Sequence, residues 1–303
     1  MTRRVFKAIM LFLTGFIGIG AMFGGICMLI KPDGSVLGMN EMLHYFKVLP
    51  FSKYLFQNFI FPGISLIIVN GISNLIAFVL IIKNKSIGAK LGMTFGITLM
   101  LWITIQFIIF PANFLSITYF ILGALQFICG WYYYVLFEQS QFIFNEDKYT
   151  NININNDELV VFFSREGYSK KIAYERANQS GAYLYEVKSS EKTDGYAGFW
   201  WCGRFGMHSW GMPIMDCDMD LSSFKKVIIV TPVWVFKICG PIREFCKKAK
   251  HKIANVEYIA VHFRKDSSFK NAFAEMNELL GITADKQTSI CCKYGKVIKI
   301  KEI

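Results

Sequence analysis

Charge disappears for long stretches in the first 137 residues and then returns every few positions. Ala8–Ile30 is 23 residues without a charge, Tyr54–Ile82 is 29, and Leu91–Phe137 is 47, broken at Pro111-Ala112-Asn113. About 20 apolar residues cross a bilayer core as a helix. The pattern therefore predicts four transmembrane helices, at about 8–30, 59–82, 91–110 and 114–137. The first run is longer than the roughly 7–15 apolar residues of a signal peptide, and three more runs follow it, so it reads as a span.

Residues 138–157 (EQSQFIFNEDKYTNININND) are polar, rich in Asn and without a helical stripe, which predicts a linker. From Glu158 the period changes. Short apolar runs at Leu159–Phe163, Ala182–Val187, Lys226–Val230 and Asn255–Phe263 read as strands, and a fifth starts near Thr288. Helical stretches follow Ser169 and occupy about 241–250 and 268–280. Apolar strands alternating with helices predict a parallel sheet covered on both faces. The expected architecture is thus an all-α four-helix transmembrane bundle (1–137), a linker, and an α/β doubly wound parallel sheet (158–303). The tail KYGKVIKIKEI is short and alternating, so a hairpin turned at Gly295 is expected in place of a last helix. One sheet face is then less covered.

Charge sets the expected address. The chain carries a net +11, with nine Lys/Arg against two Asp/Glu in residues 1–137 and 24 against 20 in the remainder. The basic residues of the first part gather at the N-terminus (Arg3, Arg4, Lys7) and in the connection Lys83–Lys90. Positive residues stay inside, so the N-terminus and the domain after 158 are expected at the cytoplasmic face of the plasma membrane. No basic-aromatic motif supports nucleic-acid binding. The eight cysteines include no C-x-x-C, and Cys202, His208 and Cys217 lack metal-ligand spacing, so reduced thiols and no metal site are expected.

Within the spans, Gly88, Gly92 and Gly96 form a small-xxx-small ladder suited to close helix packing, as do Gly20 and Gly24. Asn70 and Asn74 share a helix face, and with Gln106 and Gln126 they suit interhelical hydrogen bonding or a quinone or substrate cavity. Trp131–Tyr134 reads as an interfacial belt.

The chemistry is expected at the C-terminal strand ends, in loops 164–169, 231–241 and 263–267, because open parallel sheets bind ligands there. After the first strand come Ser164, Arg165, Glu166, Gly167, Tyr168 and Ser169, then a helix start. Hydroxyls, a glycine turn and a helix N-terminus converging on one spot suit a phosphate. Together with Thr231-Pro232-Val233-Trp234 after the third strand and Pro241-x-Arg243-x-Phe245 at the next helix, this loop resembles the flavodoxins and flavodoxin-like FMN proteins, over about residues 158–300. The resemblance implies a flavodoxin-like fold and FMN as cofactor. It implies that Ser164–Ser169 cradles the phosphate and that Thr231, Pro232, Val233 and Trp234 lie beside the flavin ring, with Trp234 stacked on or edging it. It implies electron transfer at the membrane to quinone or a redox partner protein. Glu166 departs from the family pattern, which has Thr or Ser there, so a non-redox regulatory protein without FMN is the alternative. A third reading makes the bundle itself the active part. The insert 188–223 holds Trp200, Trp201 and Trp210, for which core packing, a lid over the flavin and seating on the bilayer all stay open.

Overall fold

The computed structural model describes residues 3–217, 219–265 and 269–303. The chain forms two compact units, divided between Gln141 and Phe142.

The first unit is built on four helices long and apolar enough to cross a membrane: α1 (Arg3–Ile30), α2 (Ile60–Ile82), α3 (Ser86–Ile109) and α4 (Phe114–Gln139). Their surfaces are apolar outward, with Phe12, Ile19, Phe23, Ile108 and Leu115 all exposed. A water-soluble bundle buries such residues, whereas lipid accepts them. The glycine ladder touches three neighbours in turn. A Cβ on Gly88 would meet the α2 backbone at Ile81 at 2.7 Å, one on Gly92 the Met10 methyl at 2.7 Å, and one on Gly96 the α4 backbone at Phe127 at 2.6 Å. Basic residues collect at one end of the bundle. Lys7 donates to Asn84 at 2.7 Å, Arg3 lies over the Phe137 ring, and Lys90 lies over Tyr134.

Helix α2 contains a π-helical turn at Ile67–Ile72, just where Asn70 falls. Asn74 Nδ2 donates to the Asn70 carbonyl at 2.9 Å, and Gln126 Nε2 donates to both Asn74 Oδ1 and the Gly92 carbonyl at 2.8 Å. These buried bonds tie α2, α3 and α4 together. Gln106, by contrast, meets Ser116 only at 3.4 Å in a half-buried position. Replacing Gln126 by Leu is expected to cost about 1 kcal/mol of bundle stability. The corresponding Gln106→Leu change should leave the thermal unfolding midpoint of the detergent-solubilised chain unmoved. Equal losses would refute the assignment.

The second unit is a sheet in the order β2-β1-β3-β5-β6-β7. Its strands are β1 (Asn155–Phe162), β2 (Ala182–Glu186), β3 (Lys226–Trp234), a two-residue β4 (Lys237–Ile238) hairpinned onto β3, β5 (Val256–His262), β6 (Lys286–Lys293) and β7 (Lys296–Glu302). Along the order β2-β1-β3-β5-β6 every pairing is parallel, and only the short β4 joins β3 antiparallel. This is the flavodoxin-like doubly wound order, extended by one antiparallel strand. Helices α5 (Tyr168–Ser180), α6 (Gly195–His208), α7 (Gly240–Lys248) and α8 (Lys270–Leu280) interleave with the strands.

Alternate residues of each strand enter opposite cores. Leu159, Val161, Val227, Ile229, Tyr258 and Ala260 pack with Phe245 of α7 and Phe273 of α8. Val160, Phe162, Ile228, Val230, Ile259 and Val261 pack with Ile172, Ala173 and Ala177 of α5. On leaving β6 the chain turns at Tyr294–Gly295, both at positive φ, into β7. Strand β7 is exposed throughout, and lysines at 296, 299 and 301 guard its open edge.

The segment read as a linker is fastened to this unit. The Phe142 ring sits 5.0 Å from Tyr168 and leaves no room for a Cβ at Gly295, while Phe144 packs on Tyr174 at 5.0 Å. The Glu146 carboxylate takes the Lys170 ammonium and the Tyr174 hydroxyl. Phe142 and Tyr294 thereby pack against the same core as α5. Strand β1 also begins at Asn155, earlier than the apolar run, because its polar start pairs with Ala182 of the edge strand β2.

Candidate functional site

Parallel register brings three loops to one edge of the sheet. Phe162 lies opposite Glu186 and Val230, Pro232 opposite Val261, and His262 opposite Cys291. The chain beyond each strand end then forms the rim.

The first loop runs Phe163–Gly167 and delivers α5. Gly167 is the residue before the helix and adopts φ 84°, and no side chain caps the helix's first turn. The first N–H groups of a helix lack intrahelical acceptors and carry its positive end. Ser164 and Gly167 are half-buried at this turn, whereas Ser169 and Tyr168 are buried. Tyr168 packs against Phe142 and, at 5.8 Å, Phe263. Burial drives its phenol well above the ordinary range, with the Glu166 charge adding to the rise. It therefore stays protonated and serves packing.

Glu166 does not stand alone. Its carboxylate lies 2.5 Å from the Arg165 guanidinium, which also donates to the Gly195 carbonyl at 3.3 Å and lies 5.3 Å from the centre of the Phe199 ring. Arg165 thus neutralises the carboxylate and links the loop to α6. Lys170, the other cation within reach in sequence, is engaged by Glu146.

The loop expected from 231 is strand instead: Thr231 and Pro232 continue β3 against β5, and Val233 and Trp234 pair with β4. Thr231 is wholly buried, with its hydroxyl directed to the Pro232 carbonyl and Cys239 Sγ. Pro232 and Val233 are half-buried. Trp234 is half-buried and meets Phe163 edge-on at 5.5 Å. The β3–β4 hairpin turns on Val235 and Phe236, at φ 47° and 66°, and both are exposed. A left-handed β-branched residue is strained by about 1–3 kcal/mol, and such strain gathers at ligand-binding rims. The third loop contributes Phe263, Arg264 and Lys265, all exposed; its expected members Asp266 and Ser267 lie outside the described residues.

Behind the rim, His262 shares a 2.7 Å hydrogen bond with Ser289, and burial holds its imidazole below the ordinary pKa. Arg243 is buried and fully engaged. It meets Glu275 at 2.5 Å and donates to the carbonyls of Trp210 and Ile238 at 3.0 Å. The thiols of Cys202 and Cys239 are pushed up to about 11 and about 12 by burial, so both are inert packing groups. Among the described residues no His, Cys, Asp and Glu side chains gather as a metal site.

The sheet edge thus brings together Ser164, Arg165, Glu166 and Gly167 on one loop and Val233 and Trp234 at the end of β3. It withdraws Thr231, Tyr168 and Ser169 into the interior. Sequence reasoning missed α6 and Phe142. The only trace of Phe142 was an aromatic pair, Phe142 and Phe144, inside an otherwise polar run.

No family model and no curated protein matches the chain. Among solved structures, its C-terminal part is similar to a flavoprotein from Lactobacillus acidophilus NCFM crystallised in complex with FMN. That likeness has 20% identity and a TM-score of 0.39, over 45% of this chain and 93% of that one. It is similar also to proteins described as flavoproteins from Bacteroides uniformis ATCC 8492 (20% identity, TM-score 0.39, 45% and 90% covered) and Bacteroides eggerthii DSM 20697 (19%, 0.38, 44% and 86%).

Proposed function

We propose that the chain is a membrane-embedded flavodoxin-like protein whose second unit binds FMN and transfers electrons at the cytoplasmic face. The observation that carries this reading is the uncapped start of α5 beside the Ser164–Gly167 turn, at the C-terminal edge of a parallel sheet. The N–H groups of the helix's first turn and the Ser164 hydroxyl are the donors for the phosphate. Trp234, at the end of the neighbouring strand β3, supplies an aromatic wall, and Phe263, just beyond β5, a second. FMN when bound supplies the redox chemistry, and the protein tunes it through stacking, charge and exclusion of water. The basic end of the bundle, with Arg3, Lys7 and Lys90, supports a cytoplasmic N-terminus. Four crossings return the second unit to the same side. Quinone or a redox protein is the partner class such a module serves.

Glu166 favours the alternative, a regulatory domain without FMN, because a carboxylate beside a phosphate repels it. The Arg165 pair answers that objection and makes it testable. The full chain, purified in detergent without added flavin, is expected to show flavin absorbance bands, and the stripped protein to take up FMN stoichiometrically. Absence of bands together with absence of binding would establish the alternative. Arg165→Ala unmasks the carboxylate and should weaken FMN binding about tenfold, of order 1.4 kcal/mol. Adding Glu166→Thr to that variant should restore most of the loss. A double variant as weak as the single one would remove charge from the explanation.

A further inference from the structure

The aromatic face of the insert has no function in the FMN reading. Helix α6 turns two faces in different directions. Cys202, Phe205 and Gly206 face inward, where Cys202 and Phe205 form a small core with Met212 flanked by Trp234. A Cβ on Gly206 would lie 3.1 Å from Trp234 Cβ and 3.3 Å from Val235 Cγ2. The other face carries Phe199, Trp200 and Met207, which are 54%, 71% and 61% exposed, with Trp210 just beyond the helix at 45%. Core packing accounts for the first set and not for the second. The rings of α6 that meet the site are Phe205, beside Trp234, and Phe199, beside Arg165, whereas Trp200 and Met207 stand 71% and 61% exposed.

Two further observations point to the occupant. The hairpin packed against the inward face of α6 at Gly206 carries a second exposed apolar pair, Val235 and Phe236, at its tip. Cations are interleaved with the rings. Arg204 lies 5.7 Å from both Trp201 and Trp210, and Lys237 holds the Ser209 hydroxyl at the helix end, where the His208 ring stacks on Trp210 at 4.4 Å. Tryptophans flanked by basic side chains on one helix face match the chemistry of the headgroup layer, where the ring is half in hydrocarbon and the cation meets lipid phosphate. The same chain carries four helices long and apolar enough to span a bilayer. A lipid surface is therefore within reach of this face at a high effective concentration.

We infer that the outer face of α6, with the Val235–Phe236 tip, is a peripheral membrane-binding surface that seats in the headgroup region of an anionic bilayer. Trp200 and Phe236 are its insertion points, and Arg204 and Lys237 its contacts with lipid phosphate. The inference does not rest on FMN binding.

The test uses the full chain in nanodiscs of phosphatidylcholine and phosphatidylglycerol whose acyl chains carry bromine near the headgroup end. Trp102 and Trp131, which lie in α3 and α4, are first replaced by Phe to silence the spans. The remaining tryptophan emission should fall by about a third or more in brominated discs relative to unbrominated ones, since interfacial side chains sit within reach of that depth. Trp200→Phe should remove most of that quenching. Omitting phosphatidylglycerol, or replacing Arg204 and Lys237 by Gln, should reduce it severalfold. Trp200 is exposed, so its replacement leaves the fold intact, and an unchanged unfolding midpoint checks this. Absence of quenching overturns the proposal. Protection of Trp200 from a water-soluble quencher by added FMN alone would identify a lid. Protection that grows with protein concentration in detergent would identify a contact between copies.

Discussion

Arg243→Ala is expected to destabilise the second unit by about 3–5 kcal/mol, the range for removing one member of a buried, hydrogen-bonded charge set. The guanidinium reaches three acceptors on three different segments: Glu275 on α8, the Trp210 carbonyl after α6, and the Ile238 carbonyl of β4. Two of these are backbone groups that no second mutation can delete. A hydrophobic replacement such as Met fills the volume and still leaves both carbonyls without a donor, so the usual rescue of a buried ion pair by an apolar isostere fails here. Lys fails for another reason, since a single ammonium cannot spread donors over three directions as the planar guanidinium does. Glu275 is partly exposed and recovers water, so Glu275→Gln should cost much less than Arg243→Ala. Denaturant unfolding of the full chain in detergent, followed by near-ultraviolet dichroism, checks the order Ala and Met worst, Lys intermediate, Gln at 275 mildest. An Arg243→Ala protein within about 0.5 kcal/mol of the parent, the scatter of ordinary surface substitutions, would show that the three contacts contribute nothing. The residue matters to the site because it fixes both the end of α6 and the hairpin that carries Trp234.

Arg243 also marks how far the fold is legible in the sequence. Strands such as Lys226–Val230 are legible because burial on both faces forces unbroken apolar runs, and the spans because lipid forces longer ones. Gly295 announced its hairpin because a two-residue turn needs positive φ. Arg243 was legible only as part of a motif; that it is a fastener depends on carbonyls 33 and 5 residues away in sequence. Helix α6 went unread because its glycines and tryptophans give weak helical preference, and packing against Trp234 decides its conformation. Arg165 sits in the loop that resembles a phosphate cradle and, with Lys170, is a candidate partner for Glu166 by nearness in sequence. The structure gives Glu166 to Arg165, and adds the Gly195 carbonyl, a contact that no spacing rule contains. Phe142 was hidden because a single ring filling the space above two glycines leaves no periodic trace.

Gly167→Val is expected to lower FMN affinity about a hundredfold, and the argument has two separable parts. Gly167 holds φ 84°, which aims the start of α5 at the loop, and a side chain in this region costs about 1–2 kcal/mol, more when β-branched. A Cβ there would also stand 3.0 Å from the Phe142 ring, close enough that the ring must shift by a few tenths of an ångström. Asn tolerates the left-handed conformation and meets only the second penalty, so Gly167→Asn should bind within about threefold of the parent. Ala meets the backbone cost in moderate form and should lose about tenfold, or roughly 1.4 kcal/mol. Adding Phe142→Ala relieves the steric part alone. It should therefore improve the Asn variant to parental affinity while leaving the Val variant still weak. Flavin fluorescence titration gives the affinities, and thermal unfolding of the flavin-free proteins reports what the substitutions do to the fold itself. If the loss of affinity exceeds what the loss of stability explains, the turn holds the phosphate through its N–H directions. A Val variant that binds FMN as tightly as the parent would place the phosphate elsewhere and leave Gly167 as a packing residue beneath Phe142.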